Sequence, residues 1–435
     1  MTNKASKIPT NRLSRFGKVA SLATRIGGNI VSQGTKQLIK GQKPNTKDLL
    51  LTPDNILKVT NQLAHLRGAA MKIGQMISMD SGDLISPELA DILARLRADA
   101  NPMLPSQLTD TMSKGLGQEW KSQFMAFNYA PIASASIGQV HKAITDDGVN
   151  VAVKVQYPGV KNSIDSDVTN VSTLLNIVGL IPKGVDLEGL LEEARHQLHD
   201  EANYQREAAM LEKFHSYLGS SEHFVVPKPH LDLSSDTVLT MSLVEGIPIE
   251  SIQRCELSTR NHVMTQLLNL LFKELFEFKL VQTDPNFANY LYNTDTGKIV
   301  LLDFGATREY KTSFSDGYRR AFQSVINQDM QGLEKALSTI GFFNQQILSE
   351  QKKAILDLVY MACEPMLHNG QYDFGNSDLA TRLREAGRIL SFEQNYWHTP
   401  PADALFLHRK IGGLYLLASR LNAKVDVRSL VLAYL

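Results

Sequence analysis

Three short stretches of this chain carry side chains that together could handle a triphosphate. Val151, Ala152, Val153 and Lys154 form a β-prone run presenting an ammonium, Asp284 is followed five residues on by Asn289, and Asp303 opens the tripeptide Asp303, Phe304, Gly305. An ammonium can hold phosphate oxygens, carboxylate and carboxamide oxygens suit a hard cation such as Mg²⁺, and a further carboxylate can orient water or a hydroxyl. Taken singly each stretch says little, because most strand lysines are solvated and Asp-Phe-Gly recurs by chance in long chains. Two glutamates, Glu201 and Glu207, compete as the partner of Lys154. On one helix, six steps of about 100° would separate them by about 120° around the axis, so only one could face the lysine. Glu207 is the expected partner, and Glu201 is expected to face another element.

These residues need elements to aim them. Residues 138–144 and 151–157 read as strands joined by Thr145, Asp146, Asp147 and Gly148, a hairpin in which alternation sets Val151 and Val153 on the face opposite Ala152 and Lys154. A long helix is expected over 187–217 and a short strand over 237–244. Gly246 and Pro248 then punctuate the chain, and the remainder reads as mostly helical, interrupted by a short hairpin of 290–293 with 299–302. Upstream, 54–98 reads as helical, with Ser86, Pro87 and Glu88 as a helix start. The expected organisation is a basic arm (1–47), a helical extension (48–123), a sheet-containing lobe (124–245) and a helical lobe (246–435).

Composition narrows the function. The 435 residues carry 45 basic and 45 acidic side chains, so no net field argues for nucleic acid. Charge is nonetheless segregated: ten Lys or Arg and no acidic residue precede Asp48. Within that arm Leu13, Phe16, Val19, Ala20, Leu22, Ala23 and Ile26 recur at roughly helical spacing, the pattern of an amphipathic helix lying on anionic lipid. No apolar run approaches the roughly 18 residues that span a bilayer. Cys255 and Cys363 are the only cysteines, too few for a disulfide framework or a four-ligand zinc site, and a reducing cytoplasm fits them best.

The order of the stretches decides among readings. A strand lysine, a helix glutamate, a punctuated hinge, an Asp-x-x-x-x-Asn loop, a hairpin and Asp-Phe-Gly succeed one another as they do in protein kinases. The chain also departs from that pattern. Ala133, Ser134, Ala135 and Ser136 stand where a glycine-rich loop is usual, the histidine usual before the catalytic aspartate is absent from Gln282, Thr283, Asp284, and no Ala-Pro-Glu segment comes after Asp-Phe-Gly. With Lys72, Ile73, Gly74 and Gln75, these features resemble the UbiB family of atypical kinases over roughly residues 7–310. The resemblance implies an α+β, two-lobed protein-kinase-like fold with an N-terminal helical extension. It implies ATP and Mg²⁺ as cofactors and an ATPase activity supporting ubiquinone biosynthesis, with phosphotransfer to a small molecule or protein, or a nucleotide-switched scaffold, as alternatives. It assigns Lys154 and Glu207 as the ion pair, Ala133, Ser134, Ala135 and Ser136 as the nucleotide loop, and Ser242, Leu243, Val244 and Glu245 as the adenine-binding hinge. Asp284 is the catalytic carboxylate in that scheme, Asn289 and Asp303 hold the metal, and Lys72, Gly74 and Gln75 lie in a helix over the protein-substrate position, Lys72 pairing with Glu201. Asn203 stands where the family has a second carboxylate. Implied partners are an anionic membrane surface or prenyl-quinone precursor lipids and ubiquinone-synthesis proteins, with a homodimer left open. The implied place is peripheral on a bacterial inner membrane, or the matrix face of a mitochondrion.

Overall fold

The computed structural model describes residues 55, 58–60, 63, 66, 68–74, 92, 102–177, 187–343, 347–389 and 400–435. The basic arm, the helix start at Ser86 and Gln75 lie outside the described residues. In chain order the elements begin with helix α1 (Pro105–Leu116) and strands β1 (Phe124–Phe127), β2 (Ala133–Ser134), β3 (Gly138–Thr145) and β4 (Asn150–Gln156). Helices α2 (Val160–Ile177), α3 (Leu187–Glu201) and α4 (Tyr204–Leu218) come next, then strands β5 (Phe224–Val225), β6 (Val238–Ser242) and β7 (Ile247–Pro248). After these stand helix α5 (Leu257–Lys273), ending in a π turn over Glu274–Phe278, and strands β8 (Leu280–Gln282), β9 (Tyr290–Tyr292), β10 (Ile299–Leu301) and β11 (Thr307–Glu309). The last part holds α6 (Thr312–Ile326), α7 (Met330–Ile340), α8 (Ser349–Ala362), α9 (Glu364–Leu367), β12 (Tyr372–Asp373), α10 (Leu379–Arg388), α11 (Ala402–Arg420), β13 (Lys424–Val425) and α12 (Val427–Leu432).

The chain forms two compact units, one of residues 1–209 with 228–243, the other of 210–227 with 244–435. The first is built on an antiparallel sheet in the order β1-β3-β4-β6, with β2 added along β3. The hairpin falls where the alternation put it, Val140 lying opposite Lys154 and Ala143 opposite Val151. Val151, Val153 and Val155 are fully buried in one core with Leu108, Met112 and Trp120, so α1 covers that face. The other face is buried too. Lys154 and Gln156 point there, and Gln156 Nε2 donates to Ala202 O at 3.0 Å. Burial on both faces demands that every polar group on this strand find a partner, because an unpaired one would cost about 1–3 kcal/mol.

The expected single helix over 187–217 is broken into α3 and α4 at Ala202 and Asn203. Asn203 Oδ1 accepts from the Arg206 N–H at 3.0 Å, an asparagine cap that starts α4. Glu201 and Glu207 therefore stand on different helices, and a change of helix separates them where about 120° around one axis was expected.

In the second unit a small sheet runs β5-β10-β9-β7, with β5 parallel to β10, while β8 pairs with β11 and β12 with β13. The hairpin β9–β10 pairs Tyr292 with Ile299. After Asp-Phe-Gly the chain forms the short strand β11 against β8 and enters helix α6 at Thr312. The π turn that ends α5 closes on Lys279, whose φ of 51° is left-handed and swings the backbone into β8.

Candidate functional site

Lys154 lies in the middle of β4, 8% exposed, and its ammonium donates to both Glu207 oxygens, at 2.7 and 2.8 Å. Glu207 is 2% exposed, in the first turn of α4, where the helix dipole also favours a carboxylate. The Tyr204 ring, one turn earlier, lies 5.2 Å from the ammonium. Its hydroxyl also explains Gly138, since a Cβ there would stand 2.7 Å from Tyr204 Oη and 2.6 Å from Val155 O.

Glu201 has its own pair of partners in the same unit. Lys72, 4% exposed, forms an ion pair with Glu201 Oε1, and Ser136 Oγ donates to Oε2 at 2.8 Å. Ala133 and Ser134 form β2, and the turn back to β3 is closed by the Ala135 N–H donating to Gly138 O at 2.9 Å. Gly68, in the extension, packs on that turn so closely that a Cβ would sit 2.9 Å from Ile137 Cγ2. Lys72 and Gly74 are helical residues. The Ser242 and Leu243 N–H groups are already used, donating to Lys228 O and Asn150 O. Leu243, Val244 and Glu245 lie outside any strand, and Glu245 O accepts from Asn293 Nδ2 at 3.2 Å.

In the second unit Asp284, Asn289 and Asp303 are held by a few backbone bonds. Asn289 Nδ2 donates to Asp284 Oδ2 at 3.1 Å, and Asp284 Oδ1 accepts from the Asn286 N–H at 3.2 Å. The Leu302 N–H donates to Asn289 O, and Thr283 Oγ1 to Ala306 O at 2.6 Å, so the 283–289 loop is tied to both sides of Asp303. Asp303 Oδ1 accepts from the Gly305 N–H at 2.9 Å. Phe304, 1% exposed, packs on Phe214 with ring centres 4.7 Å apart.

These side chains suit a hard cation by their chemistry. With Nδ2 engaged by Asp284, Asn289 has its amide oxygen to offer a metal, and Asp303 has its carboxylate. Among the described residues no group of three or more His, Cys, Asp or Glu is placed to hold a metal alone. Two protein oxygens fit Mg²⁺ that brings phosphate oxygens and water as its remaining ligands.

Lys410 of α11, which no sequence motif singles out, is a buried charge. It is 3% exposed, and its ammonium donates to Gln282 Oε1 at 2.9 Å and Tyr290 Oη at 2.6 Å. The signal was in the spacing: Leu407, Lys410, Leu414 and Leu417 form one buried stripe of α11 with a lysine in it.

Sheet and helices define a protein-kinase-like fold. A profile of the ABC1 atypical kinase-like domain matches residues 95–337, and the chain belongs to that family. The chain is 37% identical to the atypical kinase COQ8, mitochondrial, of Saccharomyces cerevisiae, over 99% of its own length and 86% of the relative's. It is 35% identical to the atypical kinase COQ8B, mitochondrial, of Rattus norvegicus, covering 98% of this chain and 81% of that one. Among solved structures, the Rv3197–erythromycin complex from Mycobacterium tuberculosis matches 88% of this chain and 97% of its own, at 25% identity and a TM-score of 0.60. The resemblance to UbiB proteins is thereby borne out, and the likeness runs past residue 310 to nearly the whole chain. Among the described residues no helix is long and apolar enough to cross a membrane.

Proposed function

We propose that this protein is an atypical kinase-like ATPase that binds MgATP and works at a membrane surface in support of ubiquinone biosynthesis. The observation that carries the nucleotide reading is the buried Lys154–Glu207 pair. Burying an ion pair does little for stability when apolar side chains would pack as well, so its retention supports a functional ammonium. Lys154 holds phosphate oxygens, with Ala133, Ser134, Ala135 and Ser136 as the loop beside the nucleotide and residues 242–245 as the adenine hinge. Asp284 orients water or a small hydroxyl acceptor, and Asn289 with Asp303 holds the metal. Bound there, Mg²⁺ would neutralise charge on the phosphates. Lys72, Gly74, Gln75 and Glu201 serve to regulate access, and the domain organisation proposed is that of arm, extension, sheet lobe and helical lobe.

Slow ADP release by the purified full chain, raised by anionic liposomes and abolished in Asp303→Asn, is the expected result. Absence of turnover under every lipid condition would remove the ATPase reading. A labelled acceptor formed from γ-labelled ATP would favour phosphotransfer, and rescue of quinone synthesis in cells by Asp284→Asn would favour a nucleotide-switched scaffold.

A further inference from the structure

The loop bearing Asp284 and Asn289 rests on helix α11, beyond the 95–337 span of the family domain. Lys410 touches both ends of that loop. Gln282 ends β8 two residues before Asp284, Tyr290 opens β9 directly after Asn289, and one ammonium donates to both side chains. One turn on, Gly413 faces the loop itself: a Cβ there would stand 2.5 Å from Pro285 Cβ and 3.3 Å from its Cα. At the start of α11, Asp403 pairs with Arg308 of β11 at 3.2 Å, and the Arg308 guanidinium lies 3.7 Å from the Phe406 ring centre. Arg308 is in turn the β-partner of Val281 in β8.

Core stability does not call for this arrangement. Lys410 lies 3.9 Å from Glu274 Oε2, and both residues are almost wholly buried, a placement that apolar residues of similar volume would match or better. Among the described residues, Glu274 Oε2 and Gln282 Nε2 find no hydrogen-bond partner, so the network is not optimised for folding. What Lys410 supplies that a methionine could not is a donor fixed to two points flanking seven residues of loop.

We propose that α11 is the platform that sets the geometry of the Asp284–Asn289 loop, with Lys410 as its positioning residue and Gly413 as the point of close approach. The inference rests on the reading of that loop as catalytic, and the test separates the two. In the full chain, Lys410→Met combined with Glu274→Gln leaves no uncompensated buried charge. The pair variant should unfold cooperatively and bind MgATP within about threefold of wild type, while kcat for ADP release falls by about 10–100-fold with KM little changed. Hydrogen exchange of the 283–289 amides should quicken by about tenfold, with α6 and α7 unaffected. Gly413→Ala provides the same two readouts should the pair variant not fold. Wild-type exchange in the loop, or quickened exchange with unchanged kcat, overturns the proposal. If wild type itself shows no turnover, the ATPase reading fails, and loop exchange alone decides whether α11 positions the loop.

Discussion

Ser136 and Glu201 are joined by a hydrogen bond of 2.8 Å, the serine donating to one carboxylate oxygen while Lys72 takes the other. One carboxylate thus ties the turn between β2 and β3 to a lysine of the N-terminal extension. Lys72 is nearly buried and Glu201 largely so, with 15% of its side chain exposed. Lys72→Met removes the cation from a desolvated carboxylate and should cost about 3 kcal/mol, read from urea denaturation. Adding Glu201→Gln should recover most of that loss. A single variant with the wild-type midpoint would mean that the pair contributes nothing.

Asp303 is the carboxylate expected to bring Mg²⁺ to the nucleotide. In wild type, ATP at about 100 times its Kd should add about 2.7 kcal/mol of stability, seen as a rise in Tm that shrinks when EDTA replaces Mg²⁺. Asp303→Asn should keep its intrinsic Tm and lose the Mg²⁺-dependent part of the rise. If the two proteins respond alike to Mg²⁺, the metal is held elsewhere.

Local spacing made part of each unit legible. The strand bearing Lys154, the Asp284–Asn289 interval and Asp303 need only a period of two and a short count of residues, and the hairpins between them carry turn residues. The break at Asn203 was hidden, because an asparagine inside a helical pattern becomes a cap only where its side chain finds the N–H of Arg206. The sharing of Glu201 between Lys72 and Ser136 spans 129 and 65 residues of sequence, and no periodicity encodes it. Lys410 was legible in principle as a charge on an apolar stripe, but its partners Gln282 and Tyr290 lie 128 and 120 residues away.

Gly138 offers a steric test. Its missing Cβ gives room to Tyr204 Oη and Val155 O, and Tyr204 lies beside the Lys154 ammonium. Gly138→Ala should destabilise by about 1–3 kcal/mol through overpacking and should weaken MgATP binding by displacing Tyr204. Combination with Tyr204→Phe removes one of the two clashing atoms and should restore part of the stability. No change on Gly138→Ala would show that the strand yields freely at this point.

Glu274 gives the fold a pH dependence whose sign can be worked out. Burial pushes its carboxyl up to about 7 despite the attraction of Lys410 and a bond from the Gln282 backbone. For Lys410 burial works downward, but Glu274, Tyr290 and Asp284 outweigh it and hold the ammonium charged. A carboxyl raised above its unfolded value binds its proton more tightly in the native state, so stability falls as pH rises from about 4.5 to about 7 and levels off above that. The fall assignable to this group is on the order of 3 kcal/mol, from the difference between the two pKa values. Urea denaturation of wild type and Glu274→Gln across pH 5 to 8 isolates it: the variant should lose this component and gain on wild type as pH increases. A constant difference across the series would mean that Glu274 stays ionised throughout, held by Lys410 strongly enough to cancel its burial.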